Sequence, residues 1–137
     1  MDETSDIVTI IDNEYMALFY SLEDNILHHA IRKRLPNGEF IKLLETGLEC
    51  LIKYKGSKWL SDDRGHHHVT PEENDWLDGS WAPRAIQAGF RYWAVISPSK
   101  GLGKIQMRRF IQEFADRGVE VKMFEDPSQA LEWLKSR

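Results

Sequence analysis

The chain has 137 residues, of which 42% are hydrophobic and 29% charged, a size and balance at which one domain buries a core without metal or disulfide staples. Its formal charge of −4 excludes a general grip on nucleic acid, which needs a surplus of Lys and Arg facing phosphates. Cys50 is the one cysteine, residues 1–6 are polar and acidic, and no run approaches the roughly 18 apolar residues of a membrane span. The expectation is a cytoplasmic protein with no membrane span.

Residues 7–11 form a β-branched run that closes at Asp12-Asn13, a turn signal. Residues 15–22 are apolar on both faces, which suits a central strand, and Glu23-Asp24-Asn25 marks a second turn. Residues 26–35 alternate: Leu27, His29, Ile31 and Leu35 share one face with Lys33 as the exception, and His28, Ala30, Arg32 and Arg34 share the other. That pattern predicts a strand with one wet face. Three strands joined by tight turns imply an antiparallel meander.

After Pro36-Asn37-Gly38 the period changes. Phe40, Ile41, Leu44, Leu48, Leu51 and Ile52 recur at helical spacing up to Tyr54, with Gly56 as a stop. Lys58-Trp59-Leu60 reads as a short strand. Thr70 then caps a helix, with Pro71 at its first position and Glu73 completing a capping box. Gly79 is expected to break this helix, and Ser80 to cap a second piece over residues 81–88, with Pro83 in its first turn. Residues 92–96 are continuously apolar, as in a buried parallel strand. Residues 102–117 are amphipathic through Ile105, Phe110, Ile111 and Phe114, and residues 119–124 alternate as a strand. Asp126 is placed to cap a last helix with Ala130, Leu131 and Leu134 inward. The fold class is therefore α/β, a mixed β-sheet with helices packed on it in the order βββ-α-β-α-β-α-β-α. It forms one domain over residues 1–137, with right-handed crossovers.

That order resembles the SpoIIAA-like family when taken with three segments: Trp59-Leu60-Ser61-Asp62-Asp63-Arg64, Thr70-Pro71-Glu72 and the closing Phe124-Glu125-Asp126-Pro127-Ser128-Gln129-Ala130-Leu131-Glu132-Trp133-Leu134. These are small bacterial proteins related to the STAS domains of sulfate transporters and anti-sigma-factor antagonists. The resemblance covers nearly the whole chain. It implies a small α/β sandwich and points to protein interaction. In regulatory STAS proteins the loop after a central strand carries a phosphorylatable Ser or Thr followed by Gly. In the matching loop, Ser61-Asp62-Asp63-Arg64-Gly65, no hydroxyl residue precedes the glycine, so a kinase-controlled switch is not expected.

The loop of residues 61–69 concentrates two carboxylates, a guanidinium and three histidines. Asp62 and Asp63 are adjacent at a strand end and point in opposite directions, so they do not form one acid–base pair; one of them is expected to turn the loop and pair with Arg64. His66, His67 and His68 are consecutive and cannot converge on one ion without an unusual backbone, so they read as a solvated loop and no metal is expected. Lys100 and Lys104 lie in a strand-to-helix turn, but Gly103-Lys104 is followed by Ile105 and no Gly stands five residues before Gly103. The phosphate-loop pattern fails, leaving a looser anion site. Trp76 and Trp81 flank Gly79, and Arg84 lies one helical turn beyond Trp81, so the tryptophans read either as core packing or as a candidate aromatic anchor. Cys50, beside Glu49, reads as a small buried hydrophobe, and His29 as a hydrogen-bonded core histidine.

The leading expectation is a non-enzymatic protein-interaction or regulatory module. It would dock a protein partner or a second copy of itself, as a homodimer, through Asp62, Asp63, Arg64, Trp76, Trp81 and Arg84. The alternative is a binding protein for a small apolar, lipid-like ligand held between sheet and helices, admitted where the helix breaks at Gly79. A weaker third is a hydrolase-type enzyme using Asp62, Asp63 and a loop histidine. No cofactor is expected.

Overall fold

In the computed structural model, which describes residues 6–65, 67–96 and 102–137, six strands form one mixed sheet in the order β1-β2-β3-β4-β5-β6. The strands are β1 (Ile7–Asp12), β2 (Met16–Ser21), β3 (Ile26–Ile31), β4 (Lys58–Asp62), β5 (Tyr92–Ile96) and β6 (Glu120–Phe124). The first three pair antiparallel, and β3 to β6 pair parallel. Asn13 and Asn25 make the two tight turns. The Asn13 side chain accepts from the Tyr15 and Met16 amides, and Asn25 adopts φ 59°.

The helices are α1 (Glu39–Tyr54), α2 (Pro71–Trp76), α3 (Ala82–Gln87), α4 (Leu102–Asp116) and α5 (Pro127–Lys135). The α/β class and the mixed sheet are those read from the sequence. Sequential parallel strands joined by crossovers of one hand place α1, the α2–α3 segment and α4 on one face. There Leu27, Trp59, Trp81, Phe90, Phe110 and Phe114 join the larger core. Helix α5 follows the last strand, is bound by no crossover, and packs on the other face over Ile26, Leu60, Ala94 and Ile96.

Four expectations are corrected. Strand β3 ends at Ile31, because the Arg32 amide makes the last bond to Tyr15 O and the Arg32 guanidinium turns aside to Asp12 and Asn13. Its second face is not wet: Ile26 is buried beneath α5. Ile105, read as inward, is 66% exposed, and Met107 is buried instead. Most consequentially, Gly79 does not break the helix. The chain widens into a π-helical turn, Leu77–Trp81, closed by the Ala82 amide on Leu77 O, and runs on into α3. The cause is Pro83, which has no N–H to give and whose ring would strike the carbonyl of Gly79 in a regular α-helix; one wide turn ahead of it absorbs both.

Candidate functional site

The residues flagged in the loop after β4 separate, as their backbone directions require. Asp62 lies on the face of β4 that carries Leu60, toward α5, and Arg64 grips it with two bonds, Nε to Oδ1 at 2.8 Å and a terminal nitrogen to Oδ2 at 2.7 Å. Burial works to raise the Asp62 carboxyl, but the Arg64 hydrogen bonds and charge outweigh it and hold the group below its usual range. Asp63 turns inward, its amide donating to Ile96 O at 2.8 Å and its Oδ1 lying 2.7 Å from His29 Nε2. The two carboxylates share no substrate position, which removes the geometry that the acid–base reading of this loop needs.

His29 is the centre of a buried relay. The Trp59 indole N–H donates to its Nδ1 at 2.9 Å. An indole can only donate, so Nδ1 is an acceptor and the ring carries its proton on Nε2, aimed at Asp63. A histidine acting as a general base needs one free lone pair facing substrate. Here Trp59 occupies it, so the His29–Asp63 pair orients a carboxylate and activates no nucleophile.

His67 corrects the solvated-loop reading. Its side chain is 7% exposed, its Nδ1 accepts from the Leu35 amide at 3.4 Å, and its Nε2 lies 3.2 Å from Glu73 Oε1. Phe40 stacks on it at 5.1 Å. Glu73 also accepts from the Thr70 amide at 2.9 Å while Thr70 Oγ1 accepts from the Glu73 amide, the capping box read from the sequence. Farther along, the Gln106 amide clamps Val69 in both directions, donating to its O at 3.0 Å and accepting from its N–H at 3.2 Å. Gly65 lets the loop press onto β3: a Cβ there would run into the Ile31 carbonyl group and lie 2.7 Å from Arg32 C. Bonds at Asp63, His67 and Val69 and the close approach at Gly65 thus hold the loop down. His66 lies outside the described residues, and His68 is exposed. Among the described residues no group of His, Cys, Asp or Glu is placed to hold a metal ion.

Beneath this loop lies a cavity of about 80 Å3 between sheet and helices, walled by Trp59, Trp81, Phe90, Trp93, Phe110 and Phe114. The rings interlock: Trp59 meets Trp81 edge-to-face at 5.4 Å, and Trp93 meets Phe114 at 5.3 Å. His29, Asp63, His67 and Gln106 supply its polar side chains. An open cleft of about 450 Å3, bounded by Arg34, Pro36, His68 and Thr70, lies outside. His67 lines both spaces.

The anchor expected from Trp76, Trp81 and Arg84 is divided. Trp81 is no surface residue: it is 3% exposed, and its indole donates to Leu44 O at 2.8 Å. One wide π turn places it inward, where its apolar area is buried. Trp76 is half-buried, and Arg84 is exposed, paired with Glu45 at 2.8 Å. Lys100 lies outside the described residues, and Lys104 sits in the first turn of α4. Cys50 is buried, and burial with the charge of Glu49 pushes its thiol up, against a nucleophilic role. Sequence reading missed Trp59 as the partner of His29, His67 as a bolt and Gln106 as a clamp. The sole local hint was His29, a histidine on an otherwise apolar strand face.

No family model, curated protein or solved structure matches the chain. Among the described residues no helix is long and apolar enough to cross a membrane.

Proposed function

We propose that the chain binds a small, largely apolar molecule in the cavity between the sheet and the α2–α3 and α4 helices. The observation that carries this reading is an aromatic cavity under a loop tied down by side-chain hydrogen bonds, with His67 lining both it and an outer cleft. Cores ordinarily close such spaces, because each unfilled volume forfeits dispersion contacts. At about 80 Å3 the cavity holds a compact group. Drug-sized ligands occupy pockets of roughly 300 Å3 or more. A larger occupant therefore needs the π turn to shift, and Gly79, with no atom within 4 Å of where a Cβ would stand, gives it room.

Native mass spectrometry of freshly purified protein, with xenon titration followed by amide NMR shifts, tests the reading. A co-purifying ligand, or saturable shifts centred on Trp59, Trp81 and Trp93, supports it. An apo mass together with no saturable xenon response overturns it.

Partner docking is kept as a second proposal on one observation. Half-buried Trp76 and exposed Arg84 belong to the segment whose Leu77 and Trp81 line the cavity, so an occupied cavity would reach the surface through that segment. Trp76→Ala and Arg84→Ala, folded as judged by circular dichroism, would each lose captured partners or self-association measured by ultracentrifugation. Unchanged association refutes it. Membership of the SpoIIAA-like family, supported by the three motif segments and the element order, is likewise proposed.

A further inference from the structure

We infer that the cavity selects an ammonium compound, a small primary or secondary amine with a compact apolar body, and that Asp63 is its anchor. The inference rests on the ligand-binding reading and follows from an account of the polar atoms around the cavity. All three indole N–H groups are engaged: Trp59 with His29 at 2.9 Å, Trp81 with Leu44 O at 2.8 Å and Trp93 with Ser61 Oγ at 2.7 Å. Both nitrogens of His29 and both of His67 are engaged, as are both ends of the Gln106 amide. Apart from the second N–H of Gln106, the lining side-chain atom left without a partner among the described residues is Asp63 Oδ2.

That oxygen can only accept while the carboxylate is ionised, so its complement in a ligand is a donor. Charge narrows the donor further. The one group within ion-pair distance of Asp63 among the described residues is His29, whose Nδ1 is held as an acceptor by Trp59, so the ring brings a single proton and no net charge. Arg64, the nearest guanidinium in sequence, is spent on Asp62. Among the described residues no cation faces the Asp63 carboxylate, and its side chain, 14% exposed, lines the cavity. A ligand ammonium neutralises that carboxylate, and the aromatic wall favours the same sign, because ring faces are electronegative. A carboxylate ligand would meet like charge, and an alcohol would donate without neutralising.

The test uses the full chain and four probes of similar bulk or less: isobutylamine, isobutanol, isobutyrate and xenon. Binding is followed by amide NMR shifts and tryptophan fluorescence. The expected result is isobutylamine tighter than isobutanol by about tenfold, the gap between a charged and a neutral hydrogen bond, with isobutyrate weakest. Asp63→Asn keeps an oxygen for the His29 N–H and should erase the amine preference. Xenon binding with no amine preference in the wild type overturns the ammonium inference and leaves the cavity reading standing. No saturable binding of any probe overturns both. Persistence of the amine preference in Asp63→Asn overturns the role of Asp63. The wild-type ranking decides the matter even if that variant does not fold.

Discussion

One substitution made at two glycines should move stability in opposite directions. At Gly65 a Cβ would collide with the carbonyl of Ile31 and stand 2.7 Å from Arg32 C. These are backbone atoms of β3 and its exit, so no side-chain rotation relieves the contact. The loop must lift, and overpacking of this kind costs about 1–3 kcal/mol. Against it stands a gain of about 0.4–1 kcal/mol from stiffening the unfolded chain. Gly65→Ala should thus destabilise by about 1–2 kcal/mol. At a urea slope of about 2 kcal/mol per M, the midpoint falls by about 0.5–1 M. At Gly79 the added methyl meets nothing within 4 Å. Gly79→Ala should stabilise the helix by about 0.8–1 kcal/mol and raise the midpoint by about 0.4 M. Urea unfolding followed by tryptophan fluorescence reads both. A neutral or stabilising Gly65→Ala would refute the claim that the loop is pressed onto β3, and a destabilising Gly79→Ala the claim that the π turn has room for a methyl there.

Trp59→Phe keeps an aromatic ring but strips Nδ1 of His29 of its donor, so it should cost about 1–3 kcal/mol for the unpaired buried acceptor alone; nitrogen NMR of the His29 ring should show a loosened tautomer preference, and an unchanged ring spectrum would count against the relay. Gln106→Ala removes the two-way clamp on Val69, so the Val69 amide should exchange hydrogen faster, by about tenfold for a loss of roughly 1.4 kcal/mol, and unaltered exchange would show that the clamp is idle. His28 supplies a pH test. Burial pulls its imidazole down to about 4, with Asp62 opposing only in part. The folded state then binds fewer protons than the unfolded one between about pH 6.5 and 4. Stability should fall as pH drops through that window, by up to about 3 kcal/mol, and level below it. His28→Gln should flatten the curve relative to wild type, and parallel curves would contradict the assignment.

Much of the fold is local and was therefore readable. The turn residues Asn13 and Asn25, the Thr70–Glu73 capping box and the Asp126 cap on Ser128 act over two or three residues, so their chemistry is written in adjacent letters. Alternation gave the strands and helical spacing the helices, because burial imposes those periods. The divergence of Asp62 and Asp63 followed from strand geometry alone. What tertiary structure decided is everything that depends on register and close approach. His29, Asp63 and Trp59 meet across 34 and 30 residues of chain, and that meeting is set by how β3 pairs with β4. His67 looked solvated because its partners, Leu35 and Phe40, belong to another segment. Trp81 stayed open between core and surface because Gly79 followed by Ser80 reads as a break, whereas the chain runs on through one wide turn that buries the indole. Periodicity says which residues face inward. Only the packed molecule says which polar groups are already satisfied, and Asp63 Oδ2, without a partner among the described residues, is legible there alone.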